Sequence, residues 1–303
     1  MKNTKISILS LFLFGLIISC KSDDDSTPNL DNNPDPVVCT IPNITNSANK
    51  DFINPCAIAV SADGRIAITT YNGFDQGYGS QGVTKIWTSY TVFANNQPPV
   101  LTFNNVAAEG AAFDTSGNLF IAETEQVAGI AVYLKNQNGY TYSHTIQGNL
   151  NNPRGIAFDN GKLYIADDGN GRIVSVQNPA SPNYVIQNEF PTNGSVKAIT
   201  ADEENFYYVQ FAENKVVKRS KADGTIQNLN VINPVDITLH DGNLYVTSPT
   251  SKKLTVISAE IFSEECMETK DGLNASFATA YYPQVGLLLT AHDLDKINIL
   301  SLQ

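Results

Sequence analysis

From residue 37 to residue 303 the apolar positions fall into short clustered or alternating runs, each closed by Gly, Asn or Asp. The clearest set is Asn152-Pro-Arg-Gly-Ile-Ala-Phe-Asp159, then Gly161-Lys-Leu-Tyr-Ile-Ala-Asp-Asp168, then Gly169-Asn-Gly-Arg-Ile-Val-Ser-Val176. Runs this short, rich in β-branched and aromatic residues and bounded by turn formers, predict strands joined by tight turns. No stretch keeps the 3.6-residue period of an amphipathic helix. The pattern recurs as NPCAIAVSADGRIAITT from Asn54, EGAAFDTSGNLFIAET from Glu109, VKAITADEENFYYVQF from Val196 and NPVDITLHDGNLYVTS from Asn233. A degraded copy, FATAYYPQVGLLLTAH, starts at Phe277.

Aligning the units on Gly155 gives the column Ala57, Gly110, Gly155, Ala198, Asp236 and Thr279, with spacings of 53, 45, 43, 38 and 43 residues. Four short strands per unit and a period in the forties predict an all-β fold, a six-bladed β-propeller of four-stranded antiparallel blades. The last unit offers strands at 276–282, 285–291 and 296–302, and then the chain ends. Its outer strand is therefore expected from the N-terminal side, with 37–44 as the candidate. Such a closure removes an open sheet edge.

The middle units resemble the NHL repeat family, whose motif runs Pro-x-Gly-Ile-Ala-x-Asp, then Gly-Asn-Leu-Tyr-Val-Ala-Asp, then Asn-x-Arg-Ile. The unit from Pro153 to Val176 matches nearly throughout, the second matches in its first two strands and the fifth over 233–246. The remaining units share only the apolar pattern. The resemblance implies a six-bladed propeller.

The segment ahead of the repeats reads as an address. Lys2 and Lys5 precede an apolar stretch, Ile6 to Ile18, that is too short to span a bilayer and has the length of a signal-peptide core. It ends in Ile17-Ile18-Ser19-Cys20, which resembles a bacterial lipobox. That resemblance implies a signal peptide over 1–19, cleavage before Cys20, and acyl chains including palmitate on Cys20. An ordinary signal peptide with an incidental cysteine is the alternative. Residues 20–36 are rich in Asp, Asn and Pro and predict a flexible acidic tether. The cluster Asp23-Asp24-Asp25 is similar to the export signal of surface-exposed lipoproteins, although a solvated charge run would look the same. The expected location is the bacterial outer membrane, lipid-anchored and facing the cell surface.

Composition agrees with a folded chain. Of 303 residues, 42% are hydrophobic and 16% charged, which supports a packed core and excludes a disordered chain. The formal net charge of −11 becomes −13 once Lys2 and Lys5 are removed. An acidic chain of this kind is not a general nucleic-acid binder. Length alone suggests two domains, but the repeats use 37–303 as one, and a monomer is expected.

An exported chain meets oxidising conditions, so one disulfide is expected among Cys39, Cys56 and Cys266. Cys39 with Cys56 is favoured because both lie near the closure. Three buried thiols are the alternative. His144, His240 and His292 are dispersed, and no CxxC or HxxxH occurs, so no metal or other cofactor is expected.

Ligands of propellers sit at the mouth of the central channel. The residues just before the aligned column are Cys56, Glu109, Arg154, Lys197, Val235 and Ala278, and the second strands end in Tyr71, Glu123, Asp167, Asp168, Phe211, Ser248 and His292. Glu109, Arg154, Lys197, Glu123, Asp167, Asp168 and His292 are the candidate ligand residues. Arg154 and Lys197 would favour an anion, while Asp167 and Asp168 also suit a turn-stabilising role. A long loop with Tyr71, Phe74 and Tyr78 offers aromatic faces for a carbohydrate or a protein. It could equally lie over the propeller and cover the core.

The gluconolactonase and regucalcin family shares the six-bladed fold, and that resemblance implies a divalent cation held at the mouth by a Glu, two Asn-type ligands and an Asp. Glu109 stands at the Glu position. Arg154, Lys197 and Val235 depart from the pattern, and two bases would repel a metal. No GxSxG, HExxH or phosphate loop occurs. The reading is a membrane-anchored binding or scaffold module for a glycan, peptide or protein partner rather than an enzyme. A hydrolase or lactonase acting at the channel mouth is the alternative.

Overall fold

A computed structural model describes residues 39–70, 81–124, 128–273 and 276–303. Cys20, expected from its resemblance to a lipobox to be lipidated, and the loop residues Tyr71, Phe74 and Tyr78 lie outside them. The first strand, β1 (Ile44–Asp51), belongs to the last blade. Blade 1 is β2 (Pro55–Val60), β3 (Ile66–Thr70), β4 (Gln81–Trp87) and β5 (Leu101–Val106), with the one-turn helix α1 (Tyr90–Ala94) ahead of β5. Blade 2 is β6 (Ala108–Phe113), β7 (Leu119–Glu123), β8 (Gly129–Asn136) and β9 (Gly139–Ile146). Blade 3 is β10 (Pro153–Asp159), β11 (Lys162–Asp167), β12 (Arg172–Gln177) and β13 (Val185–Pro191). Blade 4 is β14 (Ala198–Ala201), β15 (Asn205–Gln210), β16 (Lys215–Ser220) and β17 (Ile226–Asn230). Blade 5 is β18 (Asp236–His240), β19 (Asn243–Ser248), β20 (Lys253–Ser258) and β21 (Met267–Lys270). Blade 6 is β22 (Ser276–Tyr282), β23 (Gly286–Ala291), β24 (Lys296–Leu302) and, as its outer strand, β1.

The fold is therefore the six-bladed propeller expected, with all sheets antiparallel. Each second strand is buried on both faces, which is why it reads as a continuous apolar run. In β11, Leu163 and Ile165 pack toward blade 2, and Tyr164 and Ala166 toward blade 4. One such cluster fills each of the six blade interfaces among the described residues. The chain's only tryptophan, Trp87, packs with Phe52 and Phe93 between blades 6 and 1.

Turn chemistry follows the sequence. Asn160-Gly161 and Asp241-Gly242 both carry two positive φ angles (47° and 74°, 46° and 70°) between strands paired at Asp159–Lys162 and His240–Asn243. These are two-residue hairpin turns whose twist matches the strands.

The small residues of the aligned column have a packing cause. At Gly155 a Cβ would stand 2.6 Å from Cα and Cβ of Ala198 in the next blade. The Gly155 N–H also donates to the Lys197 carbonyl at 2.8 Å.

Closure uses the N-terminal side, but the strand is β1 rather than 37–44. Asn43 and Gln303 exchange both backbone hydrogen bonds at 2.9 Å, and β1 then pairs with β24 from Ile44–Leu302 to Asp51–Lys296. Only Ile44 of β1 is buried. The strand lies on the outer rim, so its polar sequence ITNSANKD carries no apolar signal.

The disulfide also differs from the favoured pairing. Cys39 joins Cys266, with Cα atoms 5.3 Å apart, and Cys56 is a free buried thiol. Cys39 precedes the outer strand of blade 6, whereas Cys56 is on the inner strand of blade 1. Three strand spacings of about 4.8 Å separate inner from outer strands, too far for a disulfide. Cys266 ends a short 3₁₀ turn (Glu264–Cys266) that leads into the outer strand of blade 5.

Candidate functional site

The inner strands start at one face, and there Cys56, Glu109, Arg154, Lys197, Val235 and Ala278 all line a single cavity of about 370 Å³. Gly155, Phe211, Asp236, Pro249, Thr250, Phe277 and Asp293 complete its wall. A second cavity of about 320 Å³ follows the channel between the inner strands and shares Glu109, Gly155, Asp236 and Ala278 with the first.

One side of the mouth is a network of paired charges. Arg154 bonds Glu109 through Nη1, and its Nε lies 2.8 Å from Oδ2 of Asp168. Lys197 Nζ is 2.6 Å from the same Oδ2. The other oxygen of Asp168 accepts from the Ser195 hydroxyl at 2.7 Å and from the Val196 N–H at 3.0 Å. Burial opposes ionisation of Asp168, but hydrogen bonds from Lys197 and Ser195 and the charges of Lys197 and Arg154 outweigh it, holding the carboxyl below its ordinary value. The Lys197 ammonium is lowered by burial and by Arg154, against the pull of Asp168 and Glu213. Two bases are thus matched by two acids. The anion preference expected of Arg154 and Lys197 does not follow from this geometry, because both are already neutralised at short range.

The rest of the mouth is mainly apolar, with Thr250, Asp293 and Asp236 as its polar members; Asp236 stood in the aligned column and was not among the candidate ligand residues. Its Oδ2 accepts from the Thr279 N–H at 2.7 Å and from the Thr279 hydroxyl at 3.1 Å. The Thr279 hydroxyl oxygen also lies 2.6 Å from the Thr238 hydroxyl. Burial raises the Asp236 carboxyl to about 6, against the lowering effect of hydrogen bonds from Thr279 and Ile237. Among the described residues no lysine or arginine pairs with it. The available signal was the column itself, in which five blades hold Gly, Ala or Thr and one holds a carboxylate. Burial likewise pushes the Cys56 thiol up to about 12, so it is held as the neutral thiol.

Other candidates stand apart from the cavity. Asp167 is wholly buried and accepts from the Asn151 N–H at 2.7 Å, Asn170 Nδ2 at 2.8 Å and Arg172 Nε at 2.6 Å. It clamps the turn after β11 and is not open to a ligand, and Asp168 anchors the network from behind the lining residues. Glu123 ends β7 outside the lining. His292 packs edge-on to Phe277 at 5.6 Å, with Nδ1 3.3 Å from Asp293. Glu109, at the position where a lactonase-like site would want a free acid, is held by Arg154. Among the described residues no three His, Cys, Asp or Glu side chains converge as metal ligands would.

Fold and mouth together define a six-bladed propeller, an architecture typical of binding and scaffold modules. The NHL repeat model matches residues 150–174, so the third blade carries an NHL repeat from just before β10 into β12. No curated protein matches the chain. Among solved structures, a chain of a nidogen/laminin complex is similar with a TM-score of 0.56 and 17% identity, covering 72% of this chain and 80% of that one. A structural genomics protein of unknown function from Bacteroides thetaiotaomicron VPI-5482 is similar with a TM-score of 0.62 and 12% identity, covering 88% of this chain and 73% of that one. At these identities the likeness is one of fold.

Proposed function

We propose that this chain is a lipid-anchored binding module, held at the bacterial outer membrane through Cys20 and displaying its propeller at the cell surface. Its partner is a glycan, peptide or protein that inserts a terminal group or side chain into the mouth. The mouth cavity itself carries this reading: an internally neutralised polar network on one side and Phe211, Val235, Pro249 and Phe277 on the other. Concave sites with an apolar body and a few convergent polar groups are where small ligands bind. The lipobox and the acidic cluster after it support the anchoring and the surface placement.

Glycan and peptide arrays probed with the purified chain test the reading. Val235→Trp, which fills the mouth, should weaken capture at least 10-fold; equal capture would place the site elsewhere. Labelling cells with an alkynyl palmitate should mark the wild-type chain and not Cys20→Ser. Protease added to intact cells should remove the propeller, and full protection would refute the outward placement.

A further inference from the structure

The mouth holds an imbalance that its ion pairs conceal. Glu109, Arg154, Asp168 and Lys197 cancel one another over short contacts. Asp236 remains, a carboxylate on the cavity wall whose partners are the Thr279 N–H and hydroxyl and the Ile237 N–H, all neutral donors. It stands where the mouth meets the channel, since it lines both cavities. Asp293 adds a further acid to the rim. An anion would meet two neutralised bases and an unneutralised acid. A cation would meet a desolvated carboxylate, where an opposite charge is worth most. The same cavity presents two aromatic side chains, Phe211 and Phe277. Rings of this kind attract ammonium groups and pack against the methylenes that carry them.

We infer that the mouth recognises a primary ammonium group on an apolar stem, with the charge on Asp236 and the stem against Phe211, Val235 and Phe277. A lysine side chain of a partner peptide has this chemistry. The inference rests on the mouth being the binding site and adds the charge and shape of what enters it.

The test uses the purified full chain and three short peptides of neutral sequence with lysine, norleucine or glutamate at the centre, measured by calorimetry. The lysine peptide should bind at least 10-fold more tightly than the norleucine peptide, and the glutamate peptide weakest. Asp236→Asn, which still accepts from Thr279, should erase the lysine preference. The comparison of peptides on the unmodified chain stands without any variant. Equal binding of lysine and norleucine, no binding of the lysine peptide, or a preference that survives Asp236→Asn overturns the inference. If array capture is still blocked by Val235→Trp while lysine gives no preference, the binding-module reading stands and only the ammonium assignment fails.

Discussion

Thr290 ties the last blade to the first. It is wholly buried on β23. Its Oγ1 donates to the Cys56 carbonyl of blade 1 at 2.7 Å and accepts from the Ala278 N–H of its own blade at 2.8 Å. Thr69 does the same between blades 1 and 2, accepting from Ala57 N–H at 2.9 Å and donating to the Ala108 carbonyl at 3.1 Å. Thr247 donates to the Phe277 carbonyl at 3.1 Å. Thr290→Val keeps the volume but leaves a part-buried N–H and a buried carbonyl without this partner. Each unmade bond of that kind costs about 1–3 kcal/mol, partly offset by the added methyl. A net loss of about 2 kcal/mol is expected, a melting point lower by about 4–8 °C for a domain of this size. Urea unfolding followed by Trp87 fluorescence is the assay, since that ring packs at the same blade 6–1 interface. Thr290→Ser keeps the hydroxyl and should lose about 1 kcal/mol, the value of one buried methyl. If Thr290→Val lies within about 0.5 kcal/mol of wild type, or Thr290→Ser falls as far as Thr290→Val, the hydroxyl does not hold the seam and the argument fails.

Three further outcomes are expected. Reducing Cys39–Cys266, which closes a loop spanning 227 residues, should lower stability by about 5 kcal/mol in the chain-entropy account, read as a shifted urea midpoint; a shift worth under about 1 kcal/mol would contradict it. Asp236 has a folded value of about 6 against 3.8 for the free group, so below about pH 3 both states are neutral and nothing is lost. As pH rises through 6 the unfolded chain ionises first and the fold loses up to about 3 kcal/mol; Asp236→Asn should therefore match wild type near pH 3 and exceed it at pH 7.5, and a gap independent of pH would refute the assignment. Cys56, buried and with its thiol pushed up to about 12, should resist iodoacetamide at pH 8 in the folded chain and react fully in urea, as read by intact mass.

Much of the propeller was legible because its blades are buried on both faces, so each second strand prints a short apolar run, four residues long in Leu163-Tyr-Ile-Ala166 and ended by a threonine in blades 1, 5 and 6. The small column was legible too, because adjacent inner strands approach until a Cβ at Gly155 would collide with Ala198. What stayed hidden depended on exposure or on distance in sequence. Strand β1 is almost wholly solvated, so no pattern separates it from a loop. Asp168 meets Lys197 across a blade boundary, 29 residues on, and only coordinates could show that the mouth's bases were already matched. The Thr positions were equally silent. Ala122, Ala166 and Val209 occupy the same place in the middle blades, so no repeated residue type marked the position as a hydrogen-bonding seam.

The disulfide at Cys39 also sets where mechanical load enters the molecule. A pull on the chain ahead of Cys39 passes through a covalent bond into blade 5 before it reaches Ile44. Without that bond the same pull would act on the end of β1 and unzip it from β24 one hydrogen bond at a time. With it, β1 stays slack under tension, and the ring can be tugged by its leading end without its seam being opened.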